Sequence, residues 1–242
     1  MGERKGGLTL PPRRLWTERR PHANSRAMSE PTSQAPIDTP FPSKAERQRD
    51  REAKRQAVLL AAVRMFNERG FRETSLDDVA ASLGVTKPVL YHYYGNKDQI
   101  LFACIDAGLA QLRPAAARAR ALPGTGLDRL KAFLIDYAEL NMSDFGRIFV
   151  LTRPEALSAE SGARFRDFKR EIDSSLRELI AGAAADGSAV VGDVKLAAFA
   201  LAGALNWPAR WYQENGERTV PDIARALVAT LCAGLEPRPD RT

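Results

Sequence analysis

Apolar residues in this chain recur every three or four positions, and nothing alternates with period two over a useful length, so the pattern predicts an all-α protein. The clearest stretch runs from Thr74 to Lys97, TSLDDVAASLGVTKPVLYHYYGNK. Leu76, Val79, Ala80 and Leu83 form one apolar face, Ser75 stands ready to cap it, and Asp78 three residues on completes a capping-box-like start. Gly84 falls just past that face, where a left-handed residue ends a helix most easily without a side chain. Thr86 offers a second cap, and Pro88 is tolerated in a first turn because the amide it lacks would be unbonded anyway. Val85 and Leu90 are the apolar positions expected to pin the second helix to the first. Two short helices joined by a tight Gly turn make a helix-turn-helix, whose second helix can enter a DNA major groove.

Upstream, Val58, Ala61, Ala62, Met65 and Phe66 predict a helix ending at Gly70. Downstream, Asn96 with Gln99 predicts a capping box opening a helix through Ile100, Leu101, Cys104 and Ile105 toward Leu112; Pro114 and Pro123-Gly124-Thr125-Gly126 are read as its end and a loop. Further helices are expected near 126–142, 145–153, 161–186, 193–213 and 221–234, bounded by Pro154, Gly187, Asp193, Asn215-Gly216 and Pro221. Residues 1–45 are rich in Pro, Ser and Arg without an apolar period and are expected to be disordered. Met28, followed by SEPTSQAP, reads as a native start with an upstream extension, a point the sequence leaves open.

Composition narrows the function. The net charge of +6 and pI near 9.5 favour a polyanionic partner. Lys44 to Gln56 carries six basic and three acidic residues, either a solvated helix start or an arm adding non-specific phosphate attraction. Cys104 and Cys232 are far apart with no Cys/His cluster, which argues against a disulfide scaffold or structural zinc and suits a reducing cytoplasm. The longest apolar run, Leu196 to Leu205, is too short to span a bilayer, and the N-terminus has charge without an apolar leader. No nucleophile elbow, P-loop, dinucleotide fingerprint or paired His at metal spacing is found, so neither enzyme activity, cofactor nor metal is expected; His22 lies in the tail and His92 in the second helix of the motif.

That second helix leaves Lys87, Pro88, Val89, Tyr91 and Tyr93 to face outward, and tyrosine hydroxyls and lysine ammonium groups donate to phosphate oxygens. The alternative is two amphipathic core helices that happen to share a Gly turn. Residues 57 to 101 resemble the N-terminal DNA-binding domain of the TetR family of transcriptional repressors, in AAVRMFNERGF (Ala61 to Phe71) and TSLDDVAASLGVTKPVLYHYYGNKDQIL (Thr74 to Leu101). The resemblance implies a three-helix DNA-binding domain over 46–101, a helical effector-binding and dimerisation domain over 102–236, and a tail over 237–242. It implies DNA contacts by Thr86, Lys87, Pro88, Val89, Tyr91, Tyr93 and Lys97, with Tyr91 and Lys97 on phosphates and Lys87 reading a guanine edge. Asp77 departs from the basic residue some relatives carry there and is assigned no DNA role.

By the same resemblance, the chain is expected to bind a palindromic double-stranded operator as a homodimer and to be released by a small-molecule effector. The dimer would pair a helix with Leu196, Phe199, Ala200, Gly203, Ala204 and Trp207 on one face and another with Ile223, Ala226, Leu227, Thr230, Leu231 and Gly234; an intramolecular core fits the same period. Asn206-Trp207-Pro208-Ala209-Arg210-Trp211-Tyr212 has two readings, a buried helix end that locks a dimer or a ligand wall. The second is similar to TetR-like repressors released by an acyl-CoA thioester, and would place Arg147, Trp207, Arg210 and Trp211 at the effector, other basic residues from Arg153 to Arg170 being available to phosphates. A structural DNA-binding protein without an effector, or an activator on the same fold, remains the alternative. A closed apolar cavity in the helical half would speak against the purely structural protein, which has no reason to leave one.

Overall fold

The structure, a computed structural model, describes residues 41–237; the expectations for the N-terminal extension, for Met28 and for the last five residues lie outside the described residues. The regular structure of the body that begins at Ser43 is all helical over its described residues: α1 Lys44–Arg69, α2 Leu76–Ser82, α3 Lys87–Tyr94, α4 Lys97–Ala121, α5 Gly126–Met142, α6 Asp144–Leu151, α7 Ala159–Ala185, α8 Val194–Asn206, α9 Pro208–Trp211 and α10 Val220–Ala233. A single 3-10 turn, Pro154–Ala156, leads from α6 toward α7.

Local chemistry explains most boundaries. Ser43 and Glu46 form a reciprocal capping box, so α1 starts at Lys44, two residues inside the segment expected to be disordered. Ser75 and Asp78 exchange the same pair of bonds at α2, and Thr125 and Asp128 at α5. Asn96 accepts from the amide of Gln99 at 2.8 Å, but the return bond from Gln99 is not made, so the box expected there is half a box.

Two expectations are corrected. α4 does not end before Pro114; it runs through it to Ala121. Proline removes one amide, but Leu112, Ala115, Ala116 and Ala119 bury one face against α5, and packing outweighs one missing bond. The expected helix over 193–213 is broken at Trp207 into α8 and α9, because Pro208 offers no amide to continue the ladder.

Two apolar cores meet along α4. The first joins α1, α2 and α3 through Val63, Val79 and Leu90 to Ile100, Leu101 and Ile105, and continues to Ile148 and Phe149 of α6 and Phe165 of α7. The second gathers Leu130, Phe133 and Leu134 of α5 with Leu176 and Ile180 of α7, Leu201 and Leu205 of α8 and Val228 of α10. α4 therefore passes unbroken across the boundary expected near residue 101. It is long and apolar enough to cross a membrane, yet 56% of its apolar window is buried inside the protein, as a core helix requires.

Candidate nucleic-acid interface

Three fixings hold α3 in place. The hydroxyl of buried Thr74 donates toward the carbonyls of Gly70 (2.9 Å) and Met65 (3.2 Å), tying the start of the motif to the end of α1. Gly84 takes φ +64, the left-handed turn between α2 and α3. Leu90 is fully buried, and Tyr94 donates from its hydroxyl to the carbonyl of Arg55 at 3.3 Å beneath the Arg55 guanidinium. Burial holds the Tyr94 phenol above its usual range, so it stays a neutral donor.

What α3 presents follows from those anchors. Thr86, Pro88, Tyr91 and His92 are exposed, while Lys87, Val89 and Tyr93 are half-buried. Val85, expected to pin α3, is instead 37% exposed; Leu90 and Tyr94 do that work. Thr86 occupies the cap position without a side-chain bond, leaving its hydroxyl for other partners. Lys87 points its ammonium at Asp77, 2.8 Å away, a hydrogen bond that pushes the lysine pKa up. Lys97 donates to the carbonyl of Arg72 at 3.2 Å and lies 4.5 Å above the Phe71 ring; burial pulls its pKa down, against Glu73. The basic start of α1 is exposed, with Lys54 paired to Asp50 and Arg55 near Glu52 along the helix. Sequence reasoning set Asp77 aside, although Asp77 and Lys87 both lie in first turns that a tight Gly turn brings together.

The four residues expected at an effector do not converge. Trp207 and Trp211 are exposed, at 61% and 45%. Trp211 borders an open cleft of about 630 Å³ with Tyr212, Arg218, Ile223 and Leu227, which neither Trp207 nor Arg210 lines. Arg147 donates to the carbonyl of Ala209 at 3.0 Å and lines a different cleft. The Asn206 amide oxygen accepts from Tyr137 (2.6 Å) and Asn141 (3.0 Å), fastening the end of α8 to α5. A small, half-open cavity among the central helices lies elsewhere, between α4, α5 and α7. It holds about 110 Å³, walled by Leu109, Leu112, Ala116, Phe133, Phe168 and Ile172, with Arg113 and Arg120 at its rim beside Glu171 and Ser175. Arg113 pairs with Glu171 at 3.2 Å and Arg120 with Glu178 at 2.6 Å. Among the described residues no cluster of His, Cys, Asp and Glu could hold a metal.

Residues 58–104 match the domain described as bacterial regulatory proteins, tetR family, and residues 123–235 match the tetracyclin repressor-like C-terminal domain. The HTH-type transcriptional repressor KstR2 of Rhodococcus jostii is 27% identical over 203 residues, covering 80% of this chain and 97% of that protein. The match to the HTH-type regulator BetI of Rhizobium meliloti is 31% identical but local, covering 34% of this chain and 40% of the relative. Among solved structures, AibR in complex with isovaleryl coenzyme A and operator DNA superposes with a TM-score of 0.65 at 27% identity, over 73% of this chain and 97% of that one.

Proposed function

The chain belongs to the TetR family of bacterial transcriptional regulators, and on that premise we propose that it represses transcription in the cytoplasm by binding a palindromic operator as a homodimer. Residues 46–101 would serve DNA and residues 102–236 the effector and the dimer. The observation that carries this reading is the face of α3: Lys87, Pro88 and Tyr91 stand on a helix whose other side is sunk in the core by Leu90 and Tyr94. Thr86, Val89, Tyr93 and Lys97 would complete the contact, Tyr91 and Lys97 on phosphates and Lys87 on a guanine edge. Lys97 would have to turn from Arg72 to do so.

Dimerisation is supported by the outer face of α8, where Leu196 (64%), Phe199 (54%) and Trp207 (61%) stand exposed beside open space at Gly203. Ala226 and Thr230 of α10 are exposed as well. A two-fold axis through this face would set two recognition helices toward successive major grooves, about 34–36 Å apart or a multiple of that.

The effector reading moves from the tryptophans to the cavity beneath α4. At about 110 Å³ it lies well below the roughly 300–1,000 Å³ of pockets that enclose a drug-sized ligand. It suits a short acyl chain, with Arg113 and Arg120 at the rim for the phosphates of a coenzyme outside. The bound isovaleryl coenzyme A in AibR supports an acyl-CoA here. A ligand preferring one disposition of α4 would shift the recognition helices by its differential affinity. Selection from a randomised duplex library tests the DNA reading: enrichment of two inverted half-sites is expected, and enrichment of a single half-site or of none overturns it.

A further inference from the structure

We propose that Asp77 is a specificity-determining residue of the interface, holding Lys87 toward base edges and away from phosphates; this rests on the reading of Lys87 as the base-reading side chain. Asp77 lies in the first turn of α2 and Lys87 opens α3, and the turn at Gly84 brings the two side by side with Nζ 2.8 Å from Oδ2. The Asp77 side chain is 65% exposed and that of Lys87, whose backbone is covered, 41%. A pair so open to solvent contributes little to stability, so its consequence lies in what it presents. The neighbouring Asp78 is committed to the Ser75 cap and lies 3.9 Å from Arg69, which leaves the Asp77 carboxylate as the acid directed at α3.

Two effects follow from the juxtaposition. An unaccompanied lysine is drawn to any phosphate whatever the sequence. With a carboxylate 2.8 Å away the pair is neutral overall, and its acid member is repelled by phosphate oxygens, so binding to arbitrary DNA is weakened. The pair also offers a donor beside an acceptor. Lysine keeps two N–H bonds for the N7 and O6 acceptors of guanine, while the free carboxylate oxygen can accept from the N4 amino group of cytosine in the same or the next base pair. A phosphate supplies acceptors alone and can match only half of this pattern.

The experiment compares the full chain with Asp77→Asn, Asp77→Glu and Lys87→Ala by randomised-site selection and by salt titration on the selected duplex and an unrelated one. Asp77→Asn should flatten preference at one G·C position per half-site by about tenfold, the range of one good base contact. It should also bind the unrelated duplex more tightly, with a salt slope steeper by about one as Lys87 is released to a phosphate. Asp77→Glu should restore the shallow slope and leave the preference flattened, because it returns the charge on a longer arm. Wild-type preference and slope in Asp77→Asn, with preference lost in Lys87→Ala, overturns the role of Asp77 and leaves Lys87 as the reader. Unchanged preference in Lys87→Ala overturns the reading on which both rest.

Discussion

Asp98, in the first turn of α4, accepts from both the backbone amide and the hydroxyl of Ser158 at 2.9 Å. Its carboxylate also takes the hydroxyl of Ser161 at 2.7 Å, so the helix that follows the recognition helix is fastened to the start of α7. All three donors lie at the N-terminus of α7, where a carboxylate is favoured. Asp98→Ala should cost about 1–2 kcal/mol and lower the melting midpoint by a few degrees, read by thermal denaturation. Asp98→Asn, which keeps one acceptor oxygen, should lose less. Equal midpoints for all three proteins would show that the contact adds nothing.

The effector reading predicts a division between two substitutions. Ala116→Leu fills the cavity lined by Phe133 and Phe168 and should abolish release from the operator by isovaleryl coenzyme A while keeping operator affinity. Trp207→Ala should leave release intact, since Trp207 lies outside that cavity. A fluorescence-anisotropy titration of the operator complex reads both, with free coenzyme A as the control. Release surviving in Ala116→Leu and lost in Trp207→Ala would return the effector to the tryptophan cluster.

Phe199→Glu places a charge on the exposed face of α8 without touching the core. The protein should keep its helical content and sediment as a monomer, and operator affinity should fall by more than tenfold, because each half-site would then bind alone. A dimer in Phe199→Glu at micromolar concentration places the interface elsewhere.

Acid should weaken the fold through the carboxylates that fasten helix starts. Asp128 is held below the ordinary Asp value of 3.8 by hydrogen bonds from the backbone and hydroxyl of Thr125. Asp186 is lowered by the hydroxyl of Ser188, then by the amides of Gly126 and Ser188. A pKa lower in the folded than in the unfolded chain means the unfolded chain binds more protons, so this stability is present above 3.8 and lost as pH falls through the folded values. Melting midpoints measured from about pH 6 down to about pH 2.5 should fall most steeply below about pH 4, and Asp186→Asn should flatten that limb. An identical limb in Asp186→Asn would remove it from the account.

What the sequence revealed of this fold lies mostly within four residues along the chain. Ser75 with Asp78, Gly84 at the turn and Pro221 in the first turn of α10 are legible because helix geometry alone decides which groups meet. Pro114 misled because the rule that proline ends a helix is local, while the burial of Leu112 and Ala115 is not. The tryptophan cluster was legible only as composition, because what surrounds it comes from far along the chain: Asn206 is fastened to Tyr137 and Arg147 to Ala209, sixty or more residues away in sequence. The pairing of Asp77 with Lys87, ten residues apart, needed the turn geometry to be seen. Of the candidate interface, the helix with Pro88 and Tyr91 exposed on it was legible, while the half-burial of Val89 and Tyr93 and the electrostatic companion of Lys87 were not.

At Gly108 α4 crosses close against the start of α6: a methyl group there would stand 2.8 Å from the carbonyl oxygen of Phe145, part of a backbone that cannot step aside. A tilt of α4 about that crossing would make it a fulcrum. At 1.5 Å of rise per residue it leaves an arm of about 16 Å toward Lys97 and one of about 20 Å toward Ala121. Ala116, which walls the cavity, stands about 12 Å along the longer arm, so a small swing there would be returned at Lys97 somewhat enlarged and in the opposite sense. The helix would act as a balance beam, trading displacement between a cavity that admits a short chain and the helix that meets DNA.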